Sequence, residues 1–419
     1  MKTTVARSWL ILTAMVLALS AAAAAFLVGG VAEKRSYWPF GGRYAFVEGL
    51  SDRARRLERK HDTHAKTHLL TGLHEVVVAS YPLPFADSHA SGPFLALSDT
   101  EFLVATRLGE LHHVVIGNQS ATAKLLGSLG VAENIRAPAG VKDLLLLAPG
   151  KLLATMSTHD AARDCYALGL FEYAFDVEQR TVKRTRTLFE SQPCFPMPLA
   201  LEEIGGRIIH YTDQTVLLSM GSLLPTTLEG DYGRIVRIRL SDGAVTVFAT
   251  GNRNQQGLFF DQESRLVFET EHGPRGGDEI NVLRQGHDYG WPHVTYGTNY
   301  TVVDDASVDD TCVTQCGTHA GHELPLFAFV PSIGIGNLLR YPASGAEFQR
   351  WRGNLLVASL REQTLFRLEY DDDRIIYAEP IALGERLRDI ALLPNGSIAL
   401  KTDSQKLLVL TRARADAAK

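Results

Sequence analysis

The sequence predicts an all-β protein, a six-bladed β-propeller preceded by an N-terminal transmembrane or signal helix. Three observations predict the propeller. Six segments repeat one plan, an apolar strand, a polar turn and a second strand ending in small or polar residues: Phe94–Val114, Val141–Ser157, Gly205–Ser222, Leu258–Gly273, Arg352–Arg374 and Ile390–Leu410. The turns inside them carry hairpin chemistry, Asn395–Gly396 most clearly, because residues that tolerate left-handed backbone join antiparallel strands tightly. After residue 70, helical periodicity never extends beyond about ten residues. Recurrence every ~40–60 residues matches propeller blades, none of which buries its apolar faces alone. A β-sandwich or barrel also has many short strands, but does not account for the repeat.

The N-terminal helix is predicted over Trp9–Val31, about 23 uncharged and mostly apolar residues, enough to cross a ~30 Å bilayer. We read it as an uncleaved membrane anchor; the small residues Ala21–Ala25 suit a cleaved signal peptide instead. Residues 1–32 form this segment and residues 33–70 a charged stalk. Within the stalk, Ser51 caps the short charged helix DRARRLERKHD, with Leu50, Ala54 and Leu57 along one side. The propeller is expected over residues 71–415, and the wide interval 285–350 between the fourth and fifth repeats reads as an insertion.

Composition narrows the function. A formal net charge of −5 without a basic domain excludes a nucleic-acid partner. Four cysteines are too few for a disulfide scaffold. Cys312 and Cys316, with His319 and His322 close by, allow a metal knot; in an exported chain, disulfides Cys312–Cys316 and Cys165–Cys194 are the other reading.

A propeller builds its site where loops of several blades meet the central channel. The polar residues to weigh are therefore Arg207, Ser222, Arg253, Asn254, the Glu271–Asp278 loop, Arg361, Arg386 and Arg388. The stretch Glu269–Tyr300 stands out because its glycines, prolines and acids permit sharp turns that aim carbonyl and carboxylate oxygens at one point. Arg253 and Asn254 sit between glycines, and a planar guanidinium suits carboxylates or phosphates, although a plain turn has the same composition. Arg386 and Arg388 share a face if extended, so they need a common anion or ample water.

Together the blocks GNRNQQGLFFD, ETEHGPRGGDEINVL, YGWPHVTYG, VPSIG, WRGNLLVASL and RLRDIALLPNGSIALKTD resemble those of the glucose/sorbosone dehydrogenases, soluble pyrroloquinoline quinone (PQQ)-dependent aldose sugar dehydrogenases. The resemblance runs in order over residues 90–410, strongest from Gly251 and faint before Ala200. It implies an exported six-bladed propeller holding PQQ and a calcium ion, oxidising an aldose or related polyol and passing electrons to an external acceptor. It places the protein on the periplasmic or extracellular side, while the anchor at residues 9–31 is read from the apolar segment itself. The basic residues Lys34, Arg35 and Arg43 behind the span argue the opposite topology.

Residue by residue, Gly273 and Pro274 match the carbonyl donors to calcium, and Asp278 matches an acid on the sugar-facing side. Arg253 and Asn254 match contacts to the quinone, Arg253 also countering charge that develops on its oxygen. Arg386 and Arg388 match a clamp on the cofactor carboxylates, and Arg361 stands where lysine is frequent. Two positions depart from the pattern. Glu203 stands at the place of the family's histidine base, and Ser222 at that of the aspartate orienting it. Three alternatives therefore stay open: an inactive quinone- or sugar-binding propeller, a calcium-dependent lactonase-like hydrolase using Asp278, and an interaction scaffold.

Overall fold

In the first five blades the chain enters through the strand that lines the central channel and pairs outward from it, antiparallel at every step, as short polar turns between strands require. The computed structural model describes residues 66–413, except 86–91, 119, 133–134, 136–139, 196–203, 223–229, 275, 298–318, 320 and 372. The expected span at 9–31, the stalk helix, Glu203, Cys312 and Cys316 lie outside the described residues.

The first blade comprises Phe94–Ala96, Glu101–Ala105, Glu110–Ile116 and Ala121–Ser128, and the second Val141–Ala148, Lys151–Asp160, Cys165–Asp176 and Thr181–Glu190. The third comprises Gly205–Thr212, Thr215–Met220, Arg234–Arg239 and Val245–Thr250. The fourth comprises Gln255–Phe260, Val267–Glu271, Asp278–Leu283 and Phe327–Phe329, and the fifth Ile335–Arg340, Leu355–Ser359, Thr364–Asp371 and Arg374–Ala382. The sixth is composite. Leu387–Leu392, Ile398–Thr402 and Lys406–Arg412 are completed by Glu75–Pro82 and Thr67–Leu70 from the start of the propeller. Each inner strand touches the next, and the sixth touches the first, so the ring closes.

Apolar faces meet between blades. Leu153, Leu168 and Leu170 of the second pack on Ile208, Val216 and Leu218 of the third. Phe268 and Ile280 of the fourth pack on Ile335, Leu338 and Val357 of the fifth. Each such side chain contributes about 1.5–3 kcal/mol when fully buried. One polar latch recurs. Thr155 donates to the carbonyl of Gly206 at 2.6 Å, and Thr270 to that of Gly336 at 2.7 Å, each tying a second strand to the next blade's inner strand.

Two boundaries differ from expectation. The sheet begins at Thr67, inside the stretch assigned to the stalk. The interval 285–350 contains the outer strand of the fourth blade and the inner strand of the fifth, so the repeat at Arg352–Arg374 covers second and third strands. Close packing is the reason the inner strand was hidden: a Cβ on Gly336 would lie 2.9 Å from the Leu387 carbonyl, so glycine dilutes its apolar signal.

Polar side chains of the inner strands form a second network. Arg207 is buried and meets Asp143 at 3.4 Å and Asp389 at 3.1 Å, and its Nε donates to the Gln256 carbonyl at 2.7 Å. Asn337 donates to Asp389 at 2.6 Å. Four blades thus meet through one guanidinium, and Asn337 joins the fifth through Asp389.

Candidate active site

The site face is the end of the channel where inner strands begin. Residues 250–254 enter the fourth blade there with another segment against them. The backbone N–H groups of Tyr289 and Trp291 donate to the carbonyls of Thr250 and Gly251, each at 2.9 Å. Gly251 has φ +77°, and a Cβ on it would stand 2.4 Å from the Gly290 nitrogen, so only glycine admits this approach. Asp288 fixes the incoming segment, accepting from Thr250 Oγ1 and His322 Nδ1, both at 2.7 Å, and from Gly290 N–H at 2.9 Å.

Arg253 is thereby held on several sides. Its backbone N–H donates to Glu271, and its carbonyl accepts from Ser222 N–H at 2.6 Å. Its Nη1 donates to the carbonyls of His272 at 3.0 Å and Gly273 at 3.3 Å, and its guanidinium carbon lies 5.3 Å from the Trp291 ring centroid. Asn254 is buried, with its carbonyl taking His272 N–H at 2.9 Å.

The loop after the second strand folds on itself. A Cβ on Gly273 would sit 2.1 Å from the Gly277 carbonyl, and Gly277, at φ +79°, packs against Tyr296 and Gly297. Pro274 is buried beside Gly297. Asp278, expected to face a sugar, is buried, and its Oδ2 accepts the N–H groups of Ile333 at 3.0 Å and Ile335 at 2.9 Å. Its carboxylate staples the fourth blade to the start of the fifth.

His272 lies in the Glu271–Asp278 loop that the sequence singles out, without a role of its own there. Its Nε2 bonds the Ile335 carbonyl at 2.7 Å. Burial lowers its pKa, the charges of Arg253 and Arg388 act the same way, and Asp278 opposes them. One imidazole therefore feels groups of the fourth and sixth blades. Beneath the loop, Glu269, Glu271 and Glu279 are buried around the Asn281 amide. Burial pushes Glu271 up to about 7, and burial followed by repulsion from Glu271 raises Glu269 and Glu279 well above the usual range. The only warning in the sequence was acids at alternating positions in apolar strands.

Across the fifth and sixth blades, Arg386 and Arg388 share one anion. Arg386 Nε meets Asp403 at 3.0 Å, while Arg388 donates to it from Nε at 2.6 Å and Nη2 at 3.0 Å. Burial raises Asp403, but the Arg388 hydrogen bond and charge outweigh it and hold the carboxyl low. Arg386 also reaches the Leu360 carbonyl at 3.4 Å, beside Arg361, whose backbone N–H bonds Ile333. Arg361 itself is exposed. Arg253, Asn254, Gly273 and Pro274 are thus brought together on the fourth blade, with Arg361, Arg386 and Arg388 continuing across the next two. Arg207 and His210 point elsewhere, His210 bonding the Leu146 carbonyl at 2.7 Å. Among the described residues no three His, Cys, Asp or Glu side chains converge as a metal cluster, and no helix is long and apolar enough to cross a membrane. Cys165 and Cys194 are joined by a disulfide.

Residues 93–410 match the family model described as Glucose / Sorbosone dehydrogenase. The chain is 30% identical over 231 residues to an uncharacterized protein of Synechocystis, covering 48% of this chain and 54% of that one. It is 27% identical over 237 residues to an aldose sugar dehydrogenase of Escherichia coli, covering 52% and 61%. The match to quinoprotein glucose dehydrogenase B of Acinetobacter calcoaceticus is 23% over 285 residues, covering 48% and 59%. The chain therefore spans little more than half the length of these relatives. Among solved structures, the apo soluble aldose sugar dehydrogenase from Escherichia coli superposes with a TM-score of 0.64 at 22% identity, covering 80% of this chain and 100% of that one. The PQQ-bound aldose sugar dehydrogenase from Streptomyces coelicolor gives 0.60 at 17%, covering 83% and 98%. At these identities the likeness concerns the fold.

Proposed function

The chain belongs to the glucose/sorbosone dehydrogenase family, and on that premise we propose that it binds PQQ and calcium and oxidises an aldose or related polyol. The observation that carries this reading is the surplus of cations on the site face. Arg386 and Arg388 share the single carboxylate of Asp403. A carboxylate-bearing quinone suits that surplus. Asn254, beside Arg253, would contact the same cofactor, and Arg361 would add charge at the rim.

The donor set also suits calcium, a hard cation that takes oxygen ligands. Gly273 and Pro274 would hold it through backbone carbonyls. The Gly273 carbonyl already accepts from Arg253 but has a second lone pair.

PQQ, when bound, supplies a two-electron acceptor. Arg253 orients it and counters negative charge where electrons arrive. Arg386 and Arg388 hold its carboxylates. The substrate loses hydride from carbon and a proton from its hydroxyl, and the proton needs an acceptor within hydrogen-bond reach. Glu203 holds the family's base position, and a carboxylate accepts a proton there if burial raises its pKa. Asp278 would act indirectly, by fixing the fifth blade against the loop. Electrons then pass to an external acceptor. The Cys165–Cys194 bond supports an oxidising compartment, outside the cytoplasm, and the apolar segment at 9–31 would tether the protein to the membrane.

The test is reconstitution of the full chain with PQQ and calcium, followed by dye reduction with a panel of aldoses. Turnover supports the dehydrogenase. A bound-quinone spectrum without turnover, the outcome that Glu203 in place of histidine favours, makes it a binding protein. Absence of quinone binding overturns both readings.

A further inference from the structure

The motif YGWPHVTYG has no role in the reading above, yet the fold brings it to the site. The third strand of the fourth blade ends at Leu283, and residues 284–291 return alongside Val245–Thr250, with Gly286 N–H on the Phe248 carbonyl at 2.7 Å and a parallel bridge between Thr250 and Asp288. The segment ends where the Trp291 backbone docks on Gly251, two residues before Arg253. Trp291 is buried, and among the described residues its indole Nε1 has no hydrogen-bond partner. Its ring face stands 5.3 Å from the Arg253 guanidinium carbon, within cation–π range.

We propose that Trp291 is the positioning residue for Arg253, a cation–π shelf that holds the guanidinium toward the quinone site. This rests on the assignment of Arg253 as a cofactor contact. The carbonyls of His272 and Gly273 both take Nη1, and the ring face adds a restraint on the guanidinium plane. Asp288, through Thr250, His322 and Gly290, locks the approach of the segment, and Gly251 and Gly290 permit its close contact. The shelf thus belongs to the insertion, while the arginine belongs to the blade.

The experiment compares Trp291→Leu with Trp291→Phe in the full chain, alone and combined with Arg253→Ala. Thermal unfolding is recorded for every variant. Without cofactor, the side-chain protons of Arg253 are followed by NMR, where an aromatic face overhead shifts them upfield. The shelf predicts that Trp291→Phe keeps most of that shift and Trp291→Leu abolishes it. With PQQ, Trp291→Leu weakens binding ~5- to 30-fold and Trp291→Phe less than about 3-fold, the range a desolvated cation–π contact supplies. In the Arg253→Ala background, Trp291→Leu adds no further loss. Equal losses in both backgrounds, or an unshifted Arg253 in the parent protein, overturn the proposal. If the parent binds no PQQ, the NMR arm still decides the shelf, and the failure belongs to the proposed function.

Discussion

The propeller holds two clusters of arginines and carboxylates with opposite arithmetic. Around the axis, Arg207 faces Asp143 and Asp389, two acids to one guanidinium, every member enclosed by inner strands of other blades. At the site face, Arg386 and Arg388 share Asp403, while Arg253 Nη1 donates to two backbone carbonyls. The same residue types therefore do two different things. A cluster closed upon itself holds the ring together; two guanidiniums on one carboxylate suit an added anion, as the proposed function requires.

Removing the hub of the closed cluster gives the largest effect. Arg207→Met leaves Asp143 and Asp389 buried without their counter-ion, and should cost about 3–5 kcal/mol in denaturant unfolding. Loss below about 1 kcal/mol would break the distinction between the two clusters.

Acidity sharpens it next. Asp143 is raised from 3.8 to about 6, chiefly by burial, with Arg207 opposing and Asp389 adding. A carboxyl raised on folding favours the native state while protonated, so this contribution is complete below about pH 4 and fades as pH rises through about 6. Its full size is at most about 3 kcal/mol. Asp143→Asn should flatten the fall in stability between those limits, and an unchanged pH profile would remove Asp143 from the account.

Asp278→Ala should destabilise by about 2 kcal/mol, because Ile333 and Ile335 lose the acceptor of both amides. Asp278→Asn, which retains an oxygen, should recover much of that stability. Activity lost in Asp278→Asn at full stability would return this acid to the chemistry.

Arg388→Ala probes the open cluster and should move stability least, about 1 kcal/mol, because Arg386 still neutralises Asp403. PQQ affinity should fall about tenfold or more, as a charge-assisted contact disappears. A large stability loss with unchanged quinone binding would make this cluster structural too.

Much of this was legible beforehand. Hairpin turns and apolar repeats foretold six blades because each strand pair is a local event. The inner strand at Ile335–Arg340 was not legible, since its glycine at 336 answers to a carbonyl in another blade. Arg253 and Arg388 stand in motifs that the sequence singles out, whereas the staple made by Asp278 depends on amides some 55 residues downstream. His272 carries no periodicity, and its importance emerges only when the fifth blade docks on its ring nitrogen. Trp291 stood in the motif YGWPHVTYG without a role, and only the docking of residues 284–291 sets it beside Arg253.

The sixth blade has one more implication. Its strand Glu75–Pro82 finds its partner, Lys406–Arg412, only when the chain is ~330 residues longer, a contact of high order that slows folding. During synthesis at about 5–20 residues per second, that early strand waits tens of seconds with an unpaired edge. Protection of such an edge against foreign strands then falls to the cell, and delivery of the protein depends on how soon its last turn emerges.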